Sequence, residues 1–175
     1  MIPSGAKAQL TEADRRKNRC CFTGCRPQKL SRPVDDIKVD LENEILSAIR
    51  DGYTCFITGM ACGVGIWAGS IVIRLKDRFP DLKLIAAVPF PGFADSWIGE
   101  WKRRYDSLLS RADWVQFICP EYCGEAYRLR NQWMVDHSSR IIAVYGGKPG
   151  GTQHIVRYAG QAGLTVITLN GYVSG

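Results

Sequence analysis

The chain has 175 residues, of which 46% are apolar, and it carries a formal net charge of +6. This length and composition are typical of one globular domain with a single core, and they exclude a disordered chain. Because no apolar run approaches the roughly 18 residues of a membrane span and no signal-peptide segment opens the sequence, we expect a cytoplasmic protein without membrane partners.

The seven cysteines and two histidines do not have the spacing of a metal site. No Cys-x-x-Cys pair occurs, and most cysteines lie in or beside apolar runs, where a thiol behaves as a small buried side chain. Cys119 and Cys123 are four residues apart around Pro120, and this spacing favours packing over metal binding. We therefore predict neither a metal nor a resident cofactor.

Basic residues are concentrated near the start of the chain and at 102–104. Residues 1–18 are polar and are predicted to form a flexible tail with a short helical turn after Thr11. Residues 19–175 are predicted to form the single folded domain. The excess charge suits a phosphate-bearing partner, but runs of charge are more often solvated faces, so nucleic acid is left open and not favoured.

Short apolar runs alternate with amphipathic segments from residue 19 onward. The predicted strands are 19–23, 53–58, 82–88, 113–118, 140–145 and 164–169. The predicted helices are 35–50, 66–78, 96–111, 125–136 and 152–162. Strands that are apolar on both faces and joined by helices indicate an α/β fold, a mostly parallel sheet of about six strands with helices on both faces.

Three glycine-bearing turns follow the first, second and fifth predicted strands. Their residues are Thr23, Gly24, Cys25 and Arg26; Gly59, Met60, Gly63 and Val64; and Gly146, Gly150, Gly151 and Thr152. Glycine lets the backbone approach a ligand, and the N–H groups of a helix start favour a phosphate. A tight turn without a ligand explains any one of them equally well. Ligands of open parallel sheets lie beyond the strands' carboxyl ends, so three such turns favour a binding pocket there.

Individual side chains in these segments have predicted roles. Thr152 is predicted to cap the last long helix. Pro27 restricts Arg26 to an extended conformation, which projects Arg26 from the end of the first strand, where it is either a ligand or a surface residue. Arg130 has the forked donors that suit a phosphate or carboxylate, and Asn131 suits a base or ribose edge. Asp136 is unfavourably placed in the helix dipole, which indicates a functional role or a structural salt bridge.

Four motifs in this order resemble those of the DUF1273 (YpsA-like) family of the SLOG superfamily. They read Cys20-Cys-Phe-Thr-Gly-Cys-Arg-Pro27, Ile57-Thr-Gly-Met-Ala-Cys-Gly-Val64, Arg130-Asn-x-x-Met-Val-Asp136 and Gly150-Gly-Thr152. Relatives of that family include the LOG phosphoribohydrolases and the DprA DNA-processing proteins. The resemblance runs from about residue 19 to residue 169 and implies a Rossmann-like sheet with a pocket for a nucleotide or nucleotide-derived ligand.

The sequence departs from these patterns at three positions. The family pattern has His where this chain has Cys25 and Asp where it has Gly65, and LOG enzymes have Glu where it has Ile155. Loss of an imidazole and a carboxylate removes two proton-transfer groups but leaves the phosphate-binding backbone. The departures therefore favour binding over catalysis.

The function predicted first is binding or sensing of a nucleotide-derived small molecule, such as an ADP-ribose-like or cyclic nucleotide. One alternative is a LOG-like N-glycosidase acting on nucleoside monophosphates, for which Asp136 is the best-placed carboxylate in the sequence. A second alternative is DprA-like binding of single-stranded DNA. The sequence also leaves open a homo-oligomer.

Overall fold

The computed structural model describes residues 9–173, which form a six-stranded sheet flanked by helices. The strands are β1 (Arg19–Gly24), β2 (Cys55–Thr58), β3 (Lys83–Val88), β4 (Trp114–Phe117), β5 (Arg140–Val144) and β6 (Thr165–Leu169). The helices are α1 (Glu12–Lys17), α2 (Val34–Arg50), α3 (Val64–Leu75), α4 (Gly99–Arg111), α5 (Ala126–Asp136) and α6 (Gly151–Gln161). The predicted α/β, Rossmann-like fold class is confirmed.

All neighbouring strands are parallel, in the order β4-β3-β2-β1-β5-β6. The chain moves outward from β1 to the β4 edge, and α5 then carries it back to the other side of β1. β1 and β5 are paired from Cys20 opposite Arg140 to Gly24 opposite Val144. The strand order therefore reverses between β1 and β5, and a crevice for a ligand is expected at the carboxyl ends of these two strands.

The two faces of the sheet bury two separate cores. Cys20 and Phe22 point into the core beneath α2, α3 and α4, while Cys21 points into the core beneath α5 and α6. This alternation follows from the two-residue period of a strand. The rings of Phe22 and Phe56 stack with their centroids 5.8 Å apart, which ties β1 to β2 on the first face. Helices cover both faces, as the sequence predicts.

Several predicted helices differ from the structure at their ends. α4 begins at Gly99, three residues later than predicted, because residues 90–97 form successive turns with hydrogen bonds such as Asp95 N–H to the Gly92 carbonyl. α3 ends at Leu75 and not at residue 78. Gly52 follows the end of α2 with a positive φ of 95°, which is the helix-terminating role predicted for it.

The second half of the predicted tail is a helix that contacts the domain. Thr11 and Asp14 form a reciprocal capping box at the start of α1. Arg16 donates from Nε to the carbonyl oxygen of Ser138 (2.7 Å) and from Nη2 to that of Ala162 (3.2 Å). Residues 1–8 lie outside the described part of the chain, so the predicted flexibility there stays a prediction. Across residues 9–173, no helix combines the length and apolarity that crossing a lipid bilayer requires.

Candidate functional site

A cavity of about 600 Å³ opens at the carboxyl ends of β1, β2 and β5. This is where the strand order reverses, so its position agrees with the general rule for open parallel sheets. Ten of the predicted site residues line it: Thr23, Gly24, Cys25, Arg26, Gly59, Arg130, Asn131, Gly150, Gly151 and Thr152. The structure therefore brings all three glycine turns and α5 to one concave surface.

Four predicted site residues belong to the walls of this region without lining the cavity. Met60 and Val64 are no more than 1% exposed and pack in the core. Gly63, with a φ of 90°, lies against Pro27, where an added Cβ would be 2.8 Å from Cδ. Gly146 lies under the ring of Tyr172, where an added Cβ would be 2.1 Å from Cδ2. These residues shape the turns: the two glycines permit close approaches, and the side chains of Met60 and Val64 belong to the core.

Asp136 lies away from the cavity. It is the last residue of α5, which precedes the first residue of β5, so it lies near the amino ends of the strands. Its Oδ1 accepts a hydrogen bond from the hydroxyl of Tyr158 on α6 at 2.6 Å. This bond is the first cause of the raised pKa of Tyr158. Asp136 is not among the residues that line the cavity, and within residues 9–173 it forms no salt bridge; it instead links two helices through a neutral hydroxyl.

Thr58, at the end of β2, holds the second glycine turn in shape. Its hydroxyl donates to the carbonyl oxygen of Gly65 (2.7 Å) and accepts from the N–H of Met60 (3.2 Å). Met60 adopts a left-handed conformation with a φ of 59°, which is uncommon for a residue with a side chain. Such backbone conformations persist where the surrounding structure fixes them, often at binding sites.

Glycine is required at two points where elements approach each other closely. A Cβ at Gly24 would lie 2.3 Å from Cγ2 of Val64, because the start of α3 packs against the end of β1. A Cβ at Gly59 would lie 2.9 Å from Nη1 of Arg130. Both distances are far below van der Waals contact, so these glycines are needed for α3 and Arg130 to reach their positions.

Arg130 is a buried cation, with 8% of its surface exposed. Its Nη1 donates to the carbonyl oxygen of Gly59, and its Nε donates to Oδ1 of Asn131 at 2.9 Å. Both acceptors are neutral, and within residues 9–173 no carboxylate forms an ion pair with this guanidinium. Burial lowers the pKa of Arg130 to about 10, so the side chain is still positively charged at neutral pH.

Three further cations line the same cavity, namely Arg26, Lys29 and Lys148. Arg26 has the extended backbone that Pro27 predicts, with a φ of −62° and a ψ of 151°. Lys148 Nζ lies 4.8 Å from the centre of the Tyr172 ring. No Asp or Glu is found among the described residues that line the cavity. The lining is therefore positively charged without internal compensation.

Cys25, Thr152 and Tyr172 meet on one wall of the cavity. The Cys25 thiol donates to Oγ1 of Thr152 at 3.8 Å, and the hydroxyl of Tyr172 donates to Cys25 Sγ at 3.6 Å. The predicted capping role of Thr152 is wrong, because Gly150 occupies the N-cap position and Thr152 lies inside the first turn of α6. Its hydroxyl is directed to Cys25 instead.

Sequence reasoning missed half of the lining. The additional residues are Phe22, Lys29, Ala61, Cys62, Gly65, Tyr127, Met134, Lys148, Pro149 and Tyr172. Tyr127 and Met134 could have been found, since they are three residues before and four residues after Arg130 on one helix face. Tyr172 lies beyond the last strand, and only the fold brings it over Gly146.

A second depression of about 550 Å³ adjoins the cavity between α5 and α6. The two share Tyr127, Asn131 and Gly151. Ile155, which stands where LOG enzymes have a glutamate, is 4% exposed and lies between this groove and the second core. The position therefore supplies apolar surface and no proton-transfer group.

Comparison with known sequences identifies relatives over most of the chain. Residues 20–165 match the sequence profile of the YspA SLOG family (YpsA). A UPF0398 protein of Bacillus cereus strain B4264 is 32% identical over 133 residues, which are 74% of this chain and 72% of that protein. A UPF0398 protein of Bacillus thuringiensis strain Al Hakam has the same identity and coverage.

Among solved structures, the X-ray structure of DNA processing protein A (DprA) from Streptococcus pneumoniae is similar, with a TM-score of 0.56 and 17% sequence identity. The similarity covers 87% of this chain and 50% of that one, so this chain spans about half the length of the DprA chain. Identity this low shows a common fold and nothing further. The family resemblance predicted from the four motifs is confirmed, and the chain belongs to the YspA SLOG family.

Proposed function

We propose that the protein binds a phosphate-bearing, nucleotide-derived small molecule in the cavity at the carboxyl ends of β1, β2 and β5. The observation that carries this proposal is Arg130, a buried guanidinium whose hydrogen-bond acceptors among residues 9–173 are neutral oxygens, in a cavity lined by further cations. Burying an uncompensated charge is unfavourable, and an anionic ligand would supply the missing partner.

The cavity has the groups that a phosphate requires. Gly151 and Thr152 form the first turn of α6, whose unpaired N–H groups and dipole favour an anion. Arg26 and Lys148 add charge on the neighbouring turns. Backbone donors and side-chain cations together would neutralise more than one negative charge, which suits a diphosphate or cyclic nucleotide better than a neutral nucleoside.

The adjoining groove suits the less polar part of such a ligand. It begins at Tyr127 and Asn131, which also line the cavity, and continues along Ile155 and Tyr158. An aromatic ring and an aliphatic side chain provide surface for a flat nucleobase, and the Asn131 amide offers a donor and an acceptor for its edge. A ligand with its phosphates in the cavity and its base in the groove would use both depressions.

The absence of carboxylates from the described lining supports binding over the phosphoribohydrolase alternative. Hydrolysis of an N-glycosidic bond needs an acid or base beside the ribose. Asp136, the carboxylate expected for that role, is not among the described residues that line the cavity or the groove, and its Oδ1 accepts a hydrogen bond from the Tyr158 hydroxyl.

The single-stranded DNA alternative is weakened by the position of the basic cluster at 102–104. This cluster lies on α4, away from the cavity, and two of its three cations pair with Asp106 and Glu100.

Calorimetric titration of the full chain with AMP, ADP, ADP-ribose, a cyclic dinucleotide and adenosine tests the proposal. We expect binding of at least one phosphorylated compound, none of adenosine, and at least about tenfold weaker binding in Arg26→Ala, which removes a charge from the cavity. Failure of every phosphorylated compound to bind would overturn the proposal.

Two controls separate the alternatives in the same preparation. Release of free base from AMP at high protein concentration would indicate hydrolysis instead of binding. Binding of a single-stranded oligonucleotide that survives Arg26→Ala but is lost on Lys102→Ala would indicate a nucleic-acid surface on α4. Arg111→Ala, at the exposed end of α4, is the matched control for a general loss of positive charge.

A further inference from the structure

Cys119 and Cys123 form a pair of thiols in the loop between β4 and α5. Their sulfur atoms are 3.8 Å apart, and the Cys123 thiol points at Cys119. Cys119 is buried and Cys123 is exposed. A disulfide requires an S–S distance of about 2.0 Å, so the sulfurs need to approach by roughly 1.8 Å. This approach is possible without melting regular structure, because residues 118–125 belong to neither a helix nor a strand.

The two ends of this loop are held in different ways. The N–H of Cys119 donates to the carbonyl oxygen of Pro89 at 2.9 Å, which fixes it to the end of β3. The carbonyl oxygen of Cys123 accepts from the N–H of Ala126 at 3.1 Å, which joins it to the first turn of α5. Each sulfur is thus on an anchored backbone, and the three residues between them can adjust.

We propose that Cys119 and Cys123 are an oxidisable dithiol that a peroxide converts to an intramolecular disulfide. The exposed Cys123 sulfur attacks one peroxide oxygen, the O–O bond breaks, and one water leaves, which gives a sulfenic acid. The Cys119 sulfur then attacks the Cys123 sulfur, the S–O bond breaks, and a second water leaves. Overall, two thiols lose two electrons and two protons, and hydrogen peroxide becomes two waters.

The order of these steps follows from the surroundings of each thiol. Desolvation, reinforced by the neighbouring Cys123, raises the pKa of Cys119 and makes it a poor first nucleophile. Cys123 has access to solvent and therefore meets the peroxide first. Cys119 lies beside it and resolves the sulfenic acid before a second peroxide can oxidise it further.

The pair lies next to aromatic residues that lead to the cavity. Tyr122, between the two cysteines, packs edge-to-face on Phe90 with centroids 5.3 Å apart. Phe90 in turn packs on Tyr127, which lines the cavity and the adjoining groove. The new bond would join the end of β4 to the start of α5, the helix that carries Arg130.

Peptide mapping of the folded full chain tests this proposal. Trypsin releases residues 112–128 as one peptide that contains Cys119 and Cys123 and no other cysteine. After treatment of the folded chain with a few equivalents of hydrogen peroxide, followed by blocking with iodoacetamide in denaturant, we expect this peptide unalkylated and lighter by two hydrogen atoms. Dithiothreitol should restore both thiols. A peptide that keeps two alkylated thiols, or that carries sulfinic acid without a disulfide, would overturn the proposal.

Two single variants complete the test. Cys123→Ser changes an exposed side chain. In this variant the Cys119 thiol should remain free to be alkylated after the same dose of peroxide. The oxidation of the 112–128 peptide should be about tenfold slower than in the wild type. Cys55→Ser, the matched control at a half-buried thiol in β2, should leave the disulfide unchanged. Equal consumption in wild type and Cys123→Ser would show that the two thiols do not act together.

Discussion

Arg130 on α5 donates a hydrogen bond to the carbonyl oxygen of Gly59, 71 positions away in sequence at the end of β2. This close contact is possible because Gly59 has no side chain. A Cβ there would lie 2.9 Å from Nη1 of Arg130. A glycine turn and a helical arginine that appear as separate motifs in sequence therefore form one unit, which fixes a positive charge at the base of the cavity.

Replacing Arg130 with methionine should abolish most ligand binding. Hydrogen bonds to charged groups contribute about 1.5–3 kcal/mol, so we expect binding to weaken by about ten- to hundredfold. The measurement is calorimetry with the tightest nucleotide found for the wild type. Ligand should also raise the melting temperature of the wild type more than that of the variant.

Arg74→Met is the matched control for Arg130→Met. Arg74 lies on α3, is exposed, pairs with Glu42 at 2.6 Å, and lines neither the cavity nor the groove. Its replacement should change affinity by less than about twofold, because surface ion pairs contribute little. Equal losses in the two variants would mean that the general charge of the protein, and not the buried guanidinium, determines binding.

Gly24→Ala should destabilise the domain through overpacking. The new methyl would overlap Cγ2 of Val64 at 2.3 Å, and α3 would have to move away from β1. Such overpacking costs about 1–3 kcal/mol, which corresponds to a melting temperature lower by several degrees. Denaturant unfolding should show that Val64→Ala in the same chain recovers much of the loss, because the two sites are in contact.

Gly160→Ala should have the opposite effect on stability in the same unfolding experiment. Gly160 lies in the last turn of α6, and an added Cβ would have no neighbour within 4 Å. Since glycine is up to about 1 kcal/mol less favourable than alanine in a helix, and less so near its end, this variant should be slightly more stable. Destabilisation of Gly160→Ala as large as that of Gly24→Ala would contradict the steric explanation.

Bound ligand should protect the cysteines of the cavity from alkylation. Cys25 and Cys62 both line it and are partly accessible. A saturating nucleotide should slow their reaction with N-ethylmaleimide by about tenfold, while the exposed Cys123, which lies outside the lining, should react at an unchanged rate. Mass spectrometry after timed quenching measures all three thiols together. Uniform protection of all three would indicate general rigidification and not occupancy of this cavity.

Protonation of Asp113 should make the domain less stable in acid. Burial alone would raise its pKa, but hydrogen bonds from Lys76 and from the N–H of Leu84, together with the charge of Lys76, outweigh burial and lower it. Because the pKa of Asp113 is lower in the folded state, its carboxylate stabilises the folded state at pH values above 3.8, the usual pKa of an aspartate. This contribution is lost as the pH falls through the lower folded-state pKa.

Asp113→Asn should therefore be about 1.5 kcal/mol less stable than the wild type at neutral pH. The difference between the two should begin to shrink as the pH falls below about 4 and should be smallest below the lowered folded-state pKa of Asp113, where both side chains are neutral. Urea unfolding at several pH values measures both effects. The exposed Asp81 is a suitable control, since Asp81→Asn should have no comparable effect at either pH.

The order and type of the elements could be predicted from the sequence because both depend on local patterning. Apolar runs of strand length alternate with helical spacing, and every predicted strand agrees with the structure to within two residues. The glycine turns could likewise be assigned to the carboxyl ends of strands. In a parallel sheet those ends share one edge, so the position of the cavity was predictable even though its walls were not.

Side-chain positions that depend on packing could not be predicted. The motif groups Asp136 with Arg130, but Asp136 lies six residues, or roughly 9 Å, further along α5 and is not among the residues that line the cavity. The sequence favours Thr152 as the helix cap, whereas Gly150 occupies the N-cap position.

The sequence by itself determined the fold class, the family and the edge of the sheet at which a ligand is expected, since these follow from periodicity and ordered motifs. Only the tertiary structure decided that Arg130 is buried with no carboxylate partner in the described part of the chain, and that Tyr172 covers Gly146. It also decided that Cys119 and Cys123 face each other. Burial, charge compensation and side-chain direction are set by contacts between distant segments, and such contacts have no local signature in the chain.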